Sequence, residues 1–126
     1  TRDLTEQVYR TAFRDASLAN ECENGVVDDR RIWWVQAETV VGFLNAYEKT
    51  GRGEYLGAAR DVWGFIRDHL IDRRDGYAAG REWYWWVEAD GTPAAGQPIV
   101  EPWKCPYHNG RMCFEVIRRQ EILSRK

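Results

Sequence analysis

Methionine occurs once and histidine twice in these 126 residues, and neither sign of charge prevails. Lys and Arg together number 18 against 20 for Asp and Glu, which leaves a net charge of -2. A nucleic-acid binder needs a basic face to displace counterions, and the balance of charge argues against one. A polybasic membrane anchor is disfavoured for the same reason. No apolar run approaches the roughly 20 residues that a membrane span needs. The opening Thr1-Arg2-Asp3-Leu4-Thr5-Glu6 is polar, so no secretory signal is expected. It starts at Thr rather than Met, and an upstream stretch is expected. Cysteine is scarce and odd in number, at Cys22, Cys105 and Cys113. Cys105 and Cys113 are eight apart, which fits no zinc-site spacing. Reduced thiols serving as small packing residues in a cytoplasmic protein are the expectation.

What is present is apolar residue and tryptophan. The apolar fraction is 44%, enough for one folded domain over residues 1–126, and seven residues are Trp. Asp3 and Glu6 resemble a capping box, and Leu4, Val8, Ala12 and Ala16 recur every four residues, widened by Tyr9 and Phe13. A first helix is therefore predicted, fading after Ala16. A polar loop over Asn20 to Gly25 follows, with Asn24-Gly25 as a turn. Asp28 and Asp29 are placed to cap a second helix from about Arg31 to Lys49. Its apolar positions, Trp33, Trp34, Ala37, Val40, Val41, Leu44 and Tyr47, form a broad stripe that predicts burial on more than one side. Thr50-Gly51-Arg52-Gly53 ends it.

A third, one-sided helix is predicted from about Glu54 to Ile71. Tyr55, Ala59, Val62, Trp63, Ile66 and Leu70 face the core, and Arg60, Asp61, Arg67 and Asp68 face water. His69 near its C-terminal end reads as a surface or cap residue. Asp75-Gly76 marks a turn. The aromatic run Glu82 to Glu88 with Asp90-Gly91 predicts a short strand or hairpin near 82–92. Pro93, Pro98 and Pro102 make the next stretch a stiff, irregular loop. Pro106 suits the start of a fourth helix, Tyr107 to Leu123, with Met112, Cys113, Val116, Ile117 and Gln120 on one face. The fold class is all-α, built as two αα-hairpins.

The two core-facing helices, second and fourth, open with the richest chemistry. If their N-termini point the same way, they form one rim carrying Trp, Glu, His and Arg. Trp faces stack on the C–H faces of sugar rings. Trp34 and Glu38 are four apart and share a helical face. His108 lies in a first helical turn, where the dipole disfavours the imidazolium and leaves a neutral ring suited to a general base. Capping is the alternative role for His108, and Glu38 is alternatively a structural carboxylate. Trp33, Trp63 and at least one of Trp83, Trp85 and Trp86 read as core.

Three blocks taken together resemble the N-acylglucosamine 2-epimerase family. They are Trp33-Trp34-Val35-Gln36-Ala37-Glu38, Val41-Gly42-Phe43-Leu44-Asn45-Ala46-Tyr47 and Trp103-Lys104-Cys105-Pro106-Tyr107-His108-Asn109-Gly110-Arg111. Asn20-Glu21 and Glu82-Trp83-Tyr84-Trp85 also fit. The Pro-Tyr-His-Asn wording favours the branch acting on cellobiose-like disaccharides. The resemblance covers the C-terminal third of the family's (α/α)6 barrel. It implies epimerisation or isomerisation at C2 of a reducing sugar through a cis-enediolate, with no metal or other cofactor. It makes His108 catalytic and places Trp34, Glu38, Trp103 and Arg111 at the sugar. The family's second histidine, in a Gly-His…Glu…Trp helix, and an upstream arginine have no counterpart here. His69, on an outward-facing helix, does not replace it. A non-catalytic sugar-binding or structural remnant is therefore the alternative. Expected partners are a small carbohydrate and either further copies of the chain, a trimer before a swapped dimer, or the missing part of the barrel.

Overall fold

The computed structural model describes residues 2–74 and 82–124, with side chains for 4–74 and 82–120. The predicted Asp75-Gly76 turn and the side chain of Asp3 lie outside the described residues.

Four helices carry the fold, as expected, but the first is shorter than its apolar pattern. Helix α1 is Arg2–Thr11, and after Ala12 the chain forms a hairpin of β1 (Phe13–Arg14) and β2 (Ser17–Leu18) joined by a two-residue link. Asp15 and Ala16 adopt the left-handed conformation that such a link requires. Tertiary contacts impose this. Phe13 stacks on Tyr9 with ring centroids 5.6 Å apart, and the Gln36 amide brackets the backbone of Leu18, accepting from its N–H at 2.9 Å and donating to its carbonyl at 2.7 Å. Leu4 is exposed, so α1 packs through Val8, Tyr9 and Ala12 instead.

The expected polar loop is a second hairpin, β3 (Glu21–Glu23) with β4 (Val26–Asp28), and Asn24-Gly25 forms its turn in the left-handed region. Asp28 and Asp29 do not cap the second helix. Asp28 holds Arg30 and the Asn20 amide, and Asp29 holds the buried Arg31. Arg31 and Ile32 are instead a strand, β5, paired antiparallel with β6 (Trp86–Val87). Helix α2 (Trp33–Thr50) starts immediately after, and its first N–H donates to the Trp85 carbonyl at 2.9 Å. The neighbouring strand thus satisfies a helix-end donor that a capping side chain would otherwise take. Gly51, in the left-handed conformation, closes α2 by donating to Tyr47.

Helix α3 (Gly53–Phe65) returns antiparallel to α2 and finishes in a π-helical turn, Ile66–Leu70. Its buried stripe is Tyr55, Ala58, Ala59, Val62, Phe65, Ile66 and Leu70. Trp63 lies about 100° round the helix from Val62 and is exposed, not core. Trp33 and Trp83 are core, as expected. The 82–93 segment turns at Asp90-Gly91, where Val87 bridges to Pro93. Helix α4 (Tyr107–Ser124) buries Asn109, Met112 and Arg119, while Cys113 and Ile117 on the expected face are exposed. The stripe is set by the polar residues: Arg119 reaches Asn45 and Glu48 of α2. All three cysteines are exposed, which overturns their reading as packing residues. Among the described residues no helix is long and apolar enough to cross a membrane.

Glu6 fastens α1 to the hairpin of α2 and α3. Its carboxylate accepts from Tyr55 Oη and Arg52 at 2.7 Å each and pairs with Arg10. Those donors lower its pKa from 4.5 to about 2. A lowered carboxylate stabilises the fold above the unfolded value and loses that contribution as pH falls through the folded one. Acid titration between pH 4.5 and about 2 should therefore loosen α1. Glu6→Gln should remove that component, read from tyrosine fluorescence. An unchanged acid profile in the variant would refute the role.

Candidate active site

Helices α2 and α4 lie parallel. Glu38 of α2 meets His108 and Arg111 of α4, while Asn45 and Glu48, further along α2, meet Arg119, further along α4. Both N-termini therefore open on one rim. The local sequence explains the start of each. β5 delivers the chain to α2 at Trp33, and Pro106, with no N–H to lose, precedes the first residue of α4.

The centre of the rim is a carboxylate–imidazole pair. His108 Nδ1 lies 2.8 Å from Glu38 Oε1. An ionised carboxylate only accepts, so the contact orients Nδ1 as the donor and turns Nε2 away from Glu38. Arg111 donates to the same carboxylate, 3.0 Å from Oε2. Three aromatic rings hold the imidazole. Tyr107 lies 3.8 Å away between centroids, Trp33 meets it edge-on at 5.4 Å, and Trp34 lies tilted at 5.7 Å. The His108 side chain retains 18% of its exposure, enough for a reactant to reach it. Trp34 is exposed at 43%, with a face available to solvent beside the pair.

Trp34, Glu38, His108 and Arg111 are thus brought together. Trp103 is 83% exposed, on the irregular segment that leads into α4. A concavity of about 660 Å³ lies towards the other end of α2, between Glu6, Asn45, Lys49 and Tyr55, and contains none of the rim residues. Glu6, Arg10 and Arg52 of its lining are already paired with one another, so chemistry is better assigned to the rim. His69 is exposed, rests on Phe65 at 4.9 Å, and lies far along the chain from this rim in both sequence and contacts. Among the described residues no group of three His, Cys, Asp or Glu side chains is arranged to hold a metal ion.

Sequence reasoning missed a buried polar layer beneath the rim. Lys104 is 1% exposed, with its ammonium 3.7 Å from Glu82 and 5.8 Å from the centre of the Trp33 ring, and it donates to the Ile99 carbonyl. Burial pushes the Lys104 pKa down, and the neighbouring Glu82 opposes that shift. Glu82 also accepts from the Trp83 N–H at 2.7 Å and from Asn109 at 3.1 Å. The signal for this layer was a single carboxylate at the head of an aromatic run and a lysine set between Trp103 and Cys105.

The N-acylglucosamine 2-epimerase (GlcNAc 2-epimerase) family matches residues 4–109. Cellobiose 2-epimerases of Eubacterium cellulosolvens and of Dictyoglomus turgidum are each 50% identical over 116 residues, 92% of this chain. Those stretches are 27% and 28% of the two enzymes, so the chain spans under a third of their length. The structure superposes with a TM-score of 0.87 on a sugar epimerase from a ruminal bacterium, 46% identical, covering 94% of this chain and 29% of that one. For cellobiose 2-epimerase from Bacillus thermoamylovorans B4167 the TM-score is 0.84 at 47% identity, with the same coverage. A D-mannose isomerase shares the fold, with a TM-score of 0.72 at 23% identity over 88% of this chain and 28% of that one. Helix for helix and motif for motif, the chain belongs to the N-acylglucosamine 2-epimerase family.

Proposed function

We propose that this chain is the C-terminal third of an (α/α)6-barrel sugar 2-epimerase and supplies one of its two acid–base groups. The carrying observation is the Glu38–His108 pair, which leaves Nε2 as the imidazole's second nitrogen, beside the exposed Trp34. His108 Nε2 takes the C2 proton of a ring-opened reducing sugar, the electron pair moves into a cis-enediolate, and a proton returned to the opposite face gives the epimer. Trp34 and Trp103 stack on the sugar, and Glu38 and Arg111 address hydroxyls while holding the imidazole. The 50% identical relatives support a cellobiose-like disaccharide as substrate. The returning group belongs to the absent part of the barrel, so the chain alone is a sugar-binding piece without turnover.

The test is a hybrid in which residues of this chain replace the matching segment of the Eubacterium cellulosolvens enzyme. The hybrid should epimerise cellobiose and incorporate deuterium at C2 in heavy water, while the isolated chain does neither. A folded hybrid without C2 exchange would refute the reading.

The exposed apolar side chains also bear on association. Tyr107, Phe114 and Ile117 of α4 and Trp63 of α3 are wet in the single chain. Burying apolar surface is worth roughly 25 cal/mol per Å², and monomers rarely leave large patches uncovered. Sedimentation equilibrium of the isolated chain should give a mass above 14.8 kDa, with a closed trimer favoured over a swapped dimer. A stable monomer at micromolar concentration would overturn this.

A further inference from the structure

We propose that Glu82 is the positioning residue of the rim, holding through Asn109 the helical turn that carries His108 and through Lys104 the segment that carries Trp103. The inference deepens the epimerase reading and rests on it for its kinetic arm only. Glu82 sits on none of the elements that present the site, yet its Oε1 receives Asn109 Nδ2 at 3.1 Å and faces Lys104 Nζ at 3.7 Å. Asn109 is the residue after His108, and Lys104 the residue after Trp103. One carboxylate thus grips both halves of the Trp103–Arg111 motif from below. Its own position is set by the Trp83 N–H, which donates to the same oxygen at 2.7 Å. Lys104 extends the grip by donating to the Ile99 carbonyl, and its backbone bridges to Glu101 in both directions. Trp33 joins the two branches, since its ring lies under the Lys104 ammonium and against the His108 imidazole.

Burial makes this arrangement stiff. Lys104 is 1% exposed and Glu82 and Asn109 9% each, so water is a poor replacement for a lost partner. Breaking one member of a buried charge pair leaves the other uncompensated. A displacement of about 1 Å at a reacting group costs up to about 10²-fold in rate. The two branches separate kinetically. Loss of the Asn109 link displaces His108 and acts on kcat. Loss of the Lys104 link frees the Trp103 segment and acts chiefly on KM.

The first arm uses the 126-residue chain and needs no activity. His69 and His108 are the only histidines, so proton NMR resolves two imidazole Hε1 resonances. Asn109→Ala should move the His108 resonance, which sits among the rings of Trp33, Trp34 and Tyr107, and leave that of His69 in place. Glu82→Ala should do the same. Should it fail to fold, Glu82→Gln carries the test, since its amide oxygen still accepts from Asn109 and holds the His108 resonance at the wild-type position. The second arm uses the active hybrid. Asn109→Ala should lower kcat at least tenfold with KM little changed, and Lys104→Met should raise KM severalfold. An unmoved His108 resonance in Asn109→Ala overturns the proposal, as does a wild-type kcat in that variant of an active hybrid. A shifted resonance with an inactive hybrid overturns the epimerase reading and leaves the positioning role standing.

Discussion

Replacing His108 with alanine in the hybrid enzyme should lower C2 deuterium exchange by about 10²–10⁴-fold, the range for losing a positioned general base. The geometry allows no nearby substitute. Glu38, the carboxylate at the rim, already holds both His108 and Arg111 and orients the ring. Nδ1 faces Glu38, so Nε2 is the atom proposed to take the C2 proton. Trp103→Ala should behave differently. Trp103 is exposed and makes no bond that orients the imidazole in the proposed mechanism, so its loss removes a stacking face and weakens affinity while exchange at saturating sugar persists. Exchange followed by NMR in heavy water separates the two effects. Unchanged exchange in the His108→Ala protein would show that the proton leaves C2 by another route.

The rim was legible because its chemistry is local in sequence. Trp34 and Glu38 are one helical turn apart, as are His108 and Arg111, and two parallel helices suffice to join them. Helices α2, α3 and α4 were legible as helices because each has its own local period, though the start signal of α2 and the buried face of α4 were misread. The first helix misled because its apolar period continues past its true end. Ala16 keeps the fourfold spacing of α1 yet sits in a left-handed turn, since burying Leu18 under the Gln36 amide outweighs extending an exposed helix. Asp28 and Asp29 looked like caps because nothing in their spacing reveals a strand pairing with residues more than fifty positions later. The Glu82 layer was hidden by charge itself. Lys and Glu are almost never fully buried unless paired, and the pairing here joins two segments that share no pattern.

Tryptophan 33 sets the largest expected loss of stability. It is wholly buried, begins α2, and touches both His108 and Lys104. Trp33→Ala removes a large side chain from a packed interior, and such truncations cost about 3–5 kcal/mol. That is a large part of the 5–15 kcal/mol typical of a whole domain, so the variant should unfold at much lower urea. Trp33→Phe should be far milder, for a reason specific to this site. The indole Nε1 is buried with no hydrogen-bond partner among the described residues. A buried donor left unpaired costs about 1–3 kcal/mol, and phenylalanine has no such donor. The variant loses packing volume but also loses that penalty, and the two changes oppose each other. Urea unfolding of the three proteins decides it. A Phe variant as unstable as the Ala variant would mean that the indole N–H contributes a bond the fold depends on, and that Trp33 was selected for its nitrogen and not for its volume.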